Sequence, residues 1–306
     1  MKIGFIGCGN MATAMIKGIL DSGKVTAEQM IASAKSDQTR EKISSELGIA
    51  AAKTNVEVVD FADVVFLAVK PQYYEEVISE IKDDIQKNQV IVTIAPGKTL
   101  TWLSERLGSE VKIIRTMPNT PAMVKEGMMG MCKNELVTDE ELQQVKEICE
   151  SFGKAEVVPE SLIDVVVGVS GSSPAYVFMF IEAMADAAVA DGMPRAQAYK
   201  FAAQSVLGSA KMVLETGKHP GELKDMVCSP GGTTIEAVRV LEEKGMRSAV
   251  IEASKACVKK GREMSGRTGS ALTKIRKASI LYLTRQSEGE YWSPDPAKLI
   301  LSYHKR

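Results

Sequence analysis

Three small residues near the start of the chain have the spacing of a loop that binds a pyrophosphate. They are Gly7, Gly9 and Ala12, in the order Gly-x-Gly-x-x-Ala. In this pattern the first glycine permits a tight turn, the second lets the backbone approach the phosphates, and the small third residue lets a helix pack on its strand. The N-terminus of that helix then faces the anion. Because an apolar run precedes Gly7 and a helical pattern follows it, the motif predicts a dinucleotide site; a strand–helix turn without a ligand is the alternative.

The end of the second predicted strand bears on which dinucleotide binds. An NAD site usually has an acidic residue there to hold the ribose hydroxyls, whereas this chain has Ser33, Lys35 and Ser36. With Arg40 nearby, these side chains would suit a 2′-phosphate, although Asp37 weakens the charge argument. We expect NADPH as the cofactor, with NADH also accepted. A solvated loop is the alternative.

Further candidate residues follow other predicted strands, at the edge where such sheets bind ligands. Pro71 stops the strand before it, so Val69 and Lys70 would line a cofactor groove through their backbone atoms. The segment Pro96–Gly97 ends the next strand in the same way. Asn119 would contact the nicotinamide or its ribose, or simply build a turn. Ordinary proline-containing turns are the alternative at all of these positions.

An acid–base residue of the kind that alcohol oxidation needs is hard to find in this sequence. His219 lies in a turn before Pro220, and we expect it to shape that turn. After Tyr176, where hydroxyacid dehydrogenases carry a lysine on a long helix, no lysine occurs before Lys200. A protonated imine accepts hydride directly, so the protein needs mainly to orient the substrate and exclude water. The sequence favours imine reduction; a hydroxyacid dehydrogenase of the same two-domain build and a non-catalytic NADP-binding protein are the alternatives.

Two segments rich in Ser, Thr and Gly precede predicted helices and could bind a substrate. They are Ser170–Ser173 and Ser229–Thr234. In the second, Gly231 and Gly232 would expose backbone N–H groups, and the following helix N-terminus favours an anion such as a carboxylate. We expect Thr234 to be the protein group closest to the reacting nitrogen, because a hydroxyl can donate and accept. Plain helix capping is the alternative for both segments.

The elements that would position these residues alternate between short apolar runs and helical patterns. This alternation predicts an N-terminal domain, residues 1–160, built on a Rossmann-type, doubly wound parallel sheet of α/β class. Several runs are apolar with little alternation, as expected when both faces of a parallel sheet are covered. The predicted strands are Lys2–Ile6, Met30–Ser33, Val64–Val69, Val90–Ile94 and Lys112–Arg115, with Met128–Cys132 and Ala155–Val158 as further candidates, and the predicted helices are Met11–Ser22, Gln38–Leu47, Tyr73–Ile85, Thr101–Leu107 and Asp139–Ser151.

Residues 161–266 have a helical pattern throughout, and they form a second predicted domain. The run Tyr176–Ala190 is apolar nearly all round, so it must be buried on most sides. Because one small helical domain can hardly bury it alone, we predict an all-helical dimerisation domain and an obligate oligomer. Residues 267–306 carry eight Lys/Arg and three Asp/Glu, a net +5. This tail is assigned no function; a native extension and sequence read through beyond the natural end both stay open.

Composition argues against several other classes of protein. The net charge of -1 and the 5% aromatic content favour neither a nucleic acid nor a membrane surface as partner. We expect no apolar stretch to approach the roughly 20 residues of a membrane span, and the N-terminus does not resemble a signal peptide. We therefore expect a cytoplasmic protein. Five cysteines without a CxxC pair, and only two histidines, predict reduced thiols and no metal site.

Five longer motifs, in order and with sensible spacing, resemble those of the pyrroline-5-carboxylate reductase family. They are FIGCGNMA, FLAVKPQ, RTMPNTPA, GVSGSSPAYVFMFIEAMADAAV and HPGELKDMVCSPGGTTIEAVRVLE. The resemblance extends from residue 1 to about residue 265, and its SGSSPAY and SPGGTT segments are far more specific than the nucleotide fingerprint. It implies an N-terminal Rossmann domain, a helical domain that interlocks in a dimer, possible assembly into decamers, and the last step of proline biosynthesis.

The resemblance also extends the set of candidate site residues. The candidate substrate contacts are Ser172, Ser173, Gly231, Gly232, Thr233 and Thr234, and Thr234 is the candidate catalytic residue. Two positions depart from the family pattern: Cys8 and Thr233 stand where alanine is common. Both residues are small, so we expect both to be tolerated. The candidate cofactor contacts are Ile6, Gly7, Cys8, Gly9, Asn10, Met11, Ser33, Lys35, Asn55, Ala68, Val69, Lys70, Pro71, Pro96, Gly97 and Asn119.

Overall fold

An eight-stranded sheet forms the centre of the N-terminal half of the chain. The computed structural model describes residues 1–266; the tail predicted at 267–306 lies outside the described residues. The strands lie in the order β3-β2-β1-β4-β5-β6-β7-β8, and all neighbours are parallel except β6 and β7. The strands are β1 Ile3–Ile6, β2 Met30–Ser33, β3 Ala50–Ala52, β4 Val64–Leu67, β5 Val90–Thr93, β6 Lys112–Met117, β7 Gly127–Lys133 and β8 Gly153–Val157.

Side chains of the central strands alternate between two hydrophobic cores, one on each face of the sheet. On β1, Ile3 and Phe5 belong to one core and Ile6 to the other, and all three are fully buried. Helices cover both cores, which explains why these strands are apolar on both faces. The predicted Rossmann-type, doubly wound fold is confirmed. The helices of this half are α1 Asn10–Ser22, α2 Asp37–Leu47, α3 Asn55–Phe61, α4 Tyr74–Ile81, α5 Leu100–Leu107 and α6 Asp139–Cys149.

Two neighbouring elements, β3 and α3, were not predicted from the sequence. Strand β3 consists of three alanines, a residue type that is depleted in strands. Helix α3 is short; it begins after Thr54, whose side chain accepts a hydrogen bond from the backbone N–H of Glu57. This helix packs directly on β1, because a Cβ atom at Gly4 would come within 2.5 Å of Val58. Gly4 therefore lets α3 approach the sheet.

The remaining described residues form helices, as predicted. A π-helical turn, Val167–Gly171, joins α7 to α8, so that residues 160–190 form one nearly continuous helix. Helices α8 and α9 pack against each other, and α12 returns to pack on the π-helical turn. The helices are α7 Glu160–Val166, α8 Ser173–Ala190, α9 Arg195–Thr216, α10 Pro220–Val227, α11 Thr233–Glu243 and α12 Met246–Met264. A boundary between domains at residues 160 and 161 stays a prediction.

The long helix Glu160–Ala190 corrects one expectation drawn from composition. Its length and hydropathy are sufficient for a membrane span, and only 17% of its most apolar window is buried within the chain. In particular, Phe178 is 60% exposed and Met179 is 68% exposed. The apolar run Tyr176–Ala190 was identified from the sequence, but its continuation back to Glu160 through the π-helical turn was not. This helix presents an apolar surface that the rest of the described chain leaves uncovered.

Candidate active site

The turn between β1 and α1 has the geometry that the glycine motif predicts. Gly7 has a φ of 93°, and a Cβ atom there would lie 2.7 Å from Cγ1 of Val69. Gly9 is the N-cap of α1, so no side chain caps this helix, and its first turn holds no acidic residue. Within residues 1–266, a Cβ atom at Gly9 would meet no atom within 4 Å other than those of its chain neighbours. The residues present therefore fit a pyrophosphate, with room beside Gly9 and unoccupied N–H groups at the helix N-terminus.

Cys8 lies within this loop and is only partly exposed. Its Sγ atom is 3.8 Å from Oγ1 of Thr13. Burial raises the pKa of the Cys8 thiol, and the hydrogen bond with Thr13 opposes that rise. The thiol therefore stays protonated and uncharged at neutral pH, and adds no negative charge to a loop that would face phosphates.

The end of β2 is brought beside the same loop. The backbone N–H of Gly7 donates to the carbonyl oxygen of Ser33 over 3.1 Å. The Ser33 side chain is buried, and its Oγ atom donates to Oδ1 of Asn55 over 2.7 Å. On its other side, Asn55 donates through Nδ2 to the carboxylate of Glu80. The structure thus joins Gly7, Ser33 and Asn55, and adds Glu80, which the sequence analysis did not identify.

The two cations near the end of β2 have different surroundings. Arg40 donates to the carbonyl oxygen of Ala34 over 2.6 Å and pairs with Asp37. Its guanidinium is therefore held against the backbone of its own loop. The Lys35 side chain is 88% exposed, with Nζ 3.7 Å from a carboxylate oxygen of Glu76. Since exposed ion pairs are weak, Lys35 is the cation more readily available to a 2′-phosphate.

The loops after β4 and β5 lie at the same edge of the sheet. The backbone N–H of Ala68 donates to the carbonyl oxygen of Ile6 over 2.8 Å, and Pro71 then starts a short 3-10 turn. Gly97 has a φ of 78°, and a Cβ atom there would lie 3.1 Å from the carbonyl oxygen of Met264. The end of α12 is therefore packed against the Gly97 loop, so the helical region borders the candidate cofactor groove.

Asn119, which follows β6, uses its side-chain amide for structure. Its Oδ1 atom accepts from the backbone N–H of Met128 over 2.8 Å, and its Nδ2 atom donates to the carbonyl oxygen of Ser170 over 3.0 Å. These bonds build the turn and tie the end of β6 to the π-helical turn before α8. They favour the structural alternative that the sequence left open for Asn119, and its contact with the cofactor stays a prediction.

A buried ion cluster, which the sequence analysis missed, joins β6 to α7. Arg115 is completely buried; its Nη1 atom donates to Glu160 over 2.9 Å, and Nη2 lies 3.5 Å from Asp164. Glu160 also accepts from the backbone N–H of Leu100, the first residue of α5, and Asp164 accepts from Ser265. The available signals were an arginine in an apolar strand and two carboxylates four residues apart. The cluster fixes α7 and the end of α12 against the sheet.

The Ser170–Ser173 segment lies close to the carboxyl end of β6. A Cβ atom at Gly171 would lie 3.2 Å from Cε of Met117. Ser172 is the N-cap of α8, but its side chain makes no capping hydrogen bond. Instead, its Oγ atom accepts from the thiol of Cys257 over 3.1 Å. The serine that was predicted to contact the substrate therefore lies near the cofactor edge, and its hydroxyl keeps a proton to donate.

The Ser229–Thr234 segment forms a tight turn into α11. The backbone N–H of Gly232 donates to the carbonyl oxygen of Ser229 over 3.0 Å, and Gly231 has a φ of 69°, the geometry of a type II turn after a proline. The N-cap of α11 is Gly232, with no side-chain cap. Neither Thr233 nor Thr234 is therefore the N-cap, and the helix N-terminus is open to an anion.

The single chain does not join all the predicted residues into one site. No residue of α11 is buried, and α11 packs chiefly on α12. Among the described residues, no hydrogen bond links the Ser229–Thr234 turn to Ser172 or to the strand ends. His219 accepts a hydrogen bond from the backbone N–H of Gly221 through Nδ1, and this bond shapes the turn before α10. The candidate substrate turn is thus exposed, while the candidate cofactor edge is already assembled.

Together, this fold and this edge define a nucleotide-dependent oxidoreductase with a Rossmann-type half and a helical half. Residues 160–264 match the family model for pyrroline-5-carboxylate reductase dimerisation, and residues 2–97 match the model for NADP oxidoreductase, coenzyme F420-dependent. The chain is 58% identical over 264 residues to the pyrroline-5-carboxylate reductase of Escherichia coli strain K12, covering 86% of this chain and 98% of that one. It is 45% identical over 252 residues to that of Methanosarcina acetivorans, covering 82% and 93%. The chain belongs to the pyrroline-5-carboxylate reductase family.

Solved structures agree with this assignment. The crystal structure of Plasmodium falciparum pyrroline carboxylate reductase with NADP bound is similar, with a TM-score of 0.79 and 30% identity, and the match covers 87% of this chain and 98% of that one. The pyrroline-5-carboxylate reductase of Coxiella burnetii matches with a TM-score of 0.81 and 34% identity, over 86% and 98% of the two chains. The resemblance inferred from the sequence motifs is confirmed.

Proposed function

We propose that this protein reduces 1-pyrroline-5-carboxylate to L-proline with NADPH, the last step of proline biosynthesis. The observation that carries the proposal is that the Gly7–Gly9 and Gly231–Gly232 turns each lead into a helix that no side chain caps, α1 at Gly9 and α11 at Gly232. One suits the pyrophosphate of a dinucleotide and the other the carboxylate of a small substrate. Membership of the family and the NADP bound by the Plasmodium falciparum relative support the same reaction.

The described residues would act by binding and orientation. When bound, NADPH supplies a hydride, which the imine carbon of the protonated substrate accepts as the C=N bond becomes a C–N single bond. The N-terminus of α1 would hold the pyrophosphate, with Ser33 and Asn55 at the ribose and Gly97 at the far end of the groove. The N–H groups at Gly231 and Gly232 would hold the substrate carboxylate. No group has to take a proton from the reacting carbon, so the absence of an acid–base residue in these motifs is no obstacle.

Thr234 is the proposed catalytic residue, in contact with the reacting nitrogen. Its hydroxyl can accept from the protonated imine and from the product amine, both of which are donors. It lies in the first turn of α11, directly after the glycine turn. Ser172 and Ser173 are proposed to complete the site, and the thiol of Cys257 orients the hydroxyl of Ser172.

The test follows loss of NADPH absorbance with pyrroline-5-carboxylate as the substrate. Thr234→Ala should lower kcat roughly 10- to 100-fold, the scale of one lost hydrogen bond to a charged group, and Thr234→Ser should keep most of the activity. The control is Thr138→Ala, because Thr138 caps α6 through a capping box far from these motifs. That variant should lose about 1 kcal/mol of stability and keep its turnover. The assignment of Thr234 is wrong if Thr234→Ala behaves like Thr138→Ala.

Assembly is a further part of the proposal. The dimerisation model matches the region whose apolar side chains are exposed in the single chain, which supports a dimer formed through α8 and its neighbours. The exposed Ser229–Thr234 turn would then face a cofactor edge only once the dimer forms. The dimers would assemble further, as far as a decamer. A net charge of -1 and an apolar helix that a second copy covers support a cytoplasmic enzyme with no membrane or nucleic-acid partner.

A further inference from the structure

We propose that Glu80 determines the preference of this site between NADPH and NADH by fixing the direction of two hydrogen bonds. This inference rests on the proposed contact of Ser33 and Asn55 with the adenosine ribose. Glu80 does not touch the cofactor; it acts through Asn55 and Ser33, so it is a positioning residue.

The hydrogen bonds from Ser33 to Asn55 and from Asn55 to Glu80 have a fixed direction. An ionised carboxylate only accepts hydrogen bonds. Because Glu80 contacts the Asn55 amide, the NH₂ group of that amide must face Glu80, and Oδ1 must face Ser33. Oδ1 also only accepts, so the hydroxyl of Ser33, 2.7 Å away, must donate its one proton to Asn55.

The direction of these bonds limits the hydrogen bonds that the Ser33 hydroxyl can form with a ligand. Because the hydroxyl proton of Ser33 is donated to Asn55, its Oγ atom can only accept a hydrogen bond from a ligand. A ribose 2′-hydroxyl, as in NADH, can donate to such an oxygen. A 2′-phosphate, as in NADPH, carries acceptor oxygens and gains nothing from it. Ser33 is 2% exposed, and its backbone carbonyl accepts from the N–H of Gly7, so its hydroxyl lies beside the phosphate loop with Asn55 as its proton acceptor.

Lys35 has the opposite effect on the binding of a 2′-phosphate. The exposed ammonium of Lys35 favours a 2′-phosphate, and its partner Glu76 is also exposed. Glu80 lies one helical turn after Glu76 on α4. Lys35 and Glu80 therefore have opposite effects on the affinity for NADPH. Lys35 attracts the 2′-phosphate, and Glu80 prevents Ser33 from donating a hydrogen bond to it. The wild-type protein should accordingly bind both nucleotides, and Glu80 should reduce its preference for NADPH over NADH.

The experiment replaces the carboxylate by an amide that can donate as well as accept. In Glu80→Gln, the Asn55 amide is free to turn over, and Ser33 is released to donate to a phosphate. Dissociation constants for NADPH and NADH are measured by nicotinamide fluorescence, which requires no turnover. The ratio of affinities, NADPH over NADH, should rise roughly ten-fold or more, the scale of one hydrogen bond to a charged group. Because this is a binding measurement, its failure is distinct from a failure to reduce pyrroline-5-carboxylate.

Two controls separate this mechanism from simple removal of a negative charge. In a Ser33→Ala background, Glu80→Gln should leave the ratio unchanged, because no hydroxyl remains to be released. At about 1 M salt the Debye length is roughly 3 Å. Under these conditions the rise in the affinity ratio caused by Glu80→Gln should persist when Ser33 is present. An unchanged ratio in Glu80→Gln overturns the proposal. So does a rise that survives in the Ser33→Ala background or disappears in high salt, since either result would mark a charge effect alone.

Discussion

The two halves of this molecule differ in how much of their apolar surface one chain can cover. In residues 1–157, the side chains of Ile3, Phe5 and Ile6 are fully buried between helices of the same chain. In residues 160–264, Ala185 is the one buried residue of α8, and Phe178 is 60% exposed. Completely burying a large apolar side chain contributes about 1.5–3 kcal/mol. The sheet half therefore buries its core within its own chain, whereas the helical half leaves much of its apolar surface uncovered, in the region that matches the dimerisation model.

The largest effect should come from a charge placed on the exposed face of α8. Phe180 and Leu136 have nearly equal exposure in the single chain, 39% and 38%, but Leu136 lies between β7 and α6 in the sheet half. We expect Phe180→Asp to abolish self-association, or to give insoluble protein, because an unpaired charge is costly to bury. Leu136→Asp should leave the assembly intact. Light scattering measures both masses.

The same pair of variants tests whether the active site needs the assembly. If the Ser229–Thr234 turn meets a cofactor edge only in the oligomer, soluble Phe180→Asp protein should bind NADPH but show no turnover. A Phe180→Asp protein with the wild-type mass would show that this part of α8 lies outside the interface. A folded and active monomer would show that the helical half does not need self-association.

A smaller but still large effect is expected at Arg115, where the two halves meet. Removing the guanidinium leaves Glu160 and Asp164 facing each other in a buried site, and breaking a buried ion pair costs about 3–5 kcal/mol. Arg115→Met should therefore lower the urea midpoint of the whole chain strongly. The control is Lys125→Met, which removes an exposed pair with Asp21 and should cost at most about 1 kcal/mol. Equal, small losses in both variants would show that the cluster does not hold the halves together.

The contrast between the halves also explains which elements the sequence could predict. Elements with clear apolar patterns, such as β1 and α1, were predicted within a residue or two, whereas α4 ends at Ile81 and not at the predicted Ile85. β3 and α3 were missed, because three alanines and a seven-residue helix carry no strong periodicity and depend on neighbours such as Gly4 for their packing. The apolar character of Tyr176–Ala190 was predicted correctly, but the single chain leaves most of this helix exposed, and its burial in an oligomer stays a prediction.

The candidate site shows a similar limit. Gly7 and Gly9 were identified because their function depends on local spacing. Glu80 and Arg115 were not, because their partners are distant in sequence: Glu80 meets Asn55 25 residues away, and Arg115 meets Glu160 45 residues away. Asn55 entered the candidate list only through the family resemblance. Long-range polar contacts of this kind follow from the strand order, which local patterns do not encode.

The smallest expected effect is a dependence of stability on pH that belongs to the sheet half alone. Burial, with a smaller contribution from Glu150, raises the pKa of the Cys149 thiol from 9.0 to about 12. Burial also raises the pKa of Tyr74 from 10.0 to about 12, against hydrogen bonds led by the one with Thr93. In both cases the unfolded chain loses its proton at a lower pH than the folded chain. The stability that these groups contribute is therefore complete at neutral pH and is lost progressively as the pH rises from about 9 to about 12.

Cys149 dominates the lower part of this window, because its ordinary pKa is the lower of the two. Between pH 8 and pH 10 the wild-type protein should lose about 1 kcal/mol from this thiol. Cys149→Ala should be less stable at neutral pH, since it leaves a small cavity, but its stability should fall less steeply over the same range. Tyr74→Phe should instead flatten the curve above pH 10. Urea midpoints at several pH values and two protein concentrations provide the measurement. Since both groups lie inside the sheet half, the difference in slope between variant and wild type should not change with concentration; a difference that grows on dilution would mean that this half also depends on assembly.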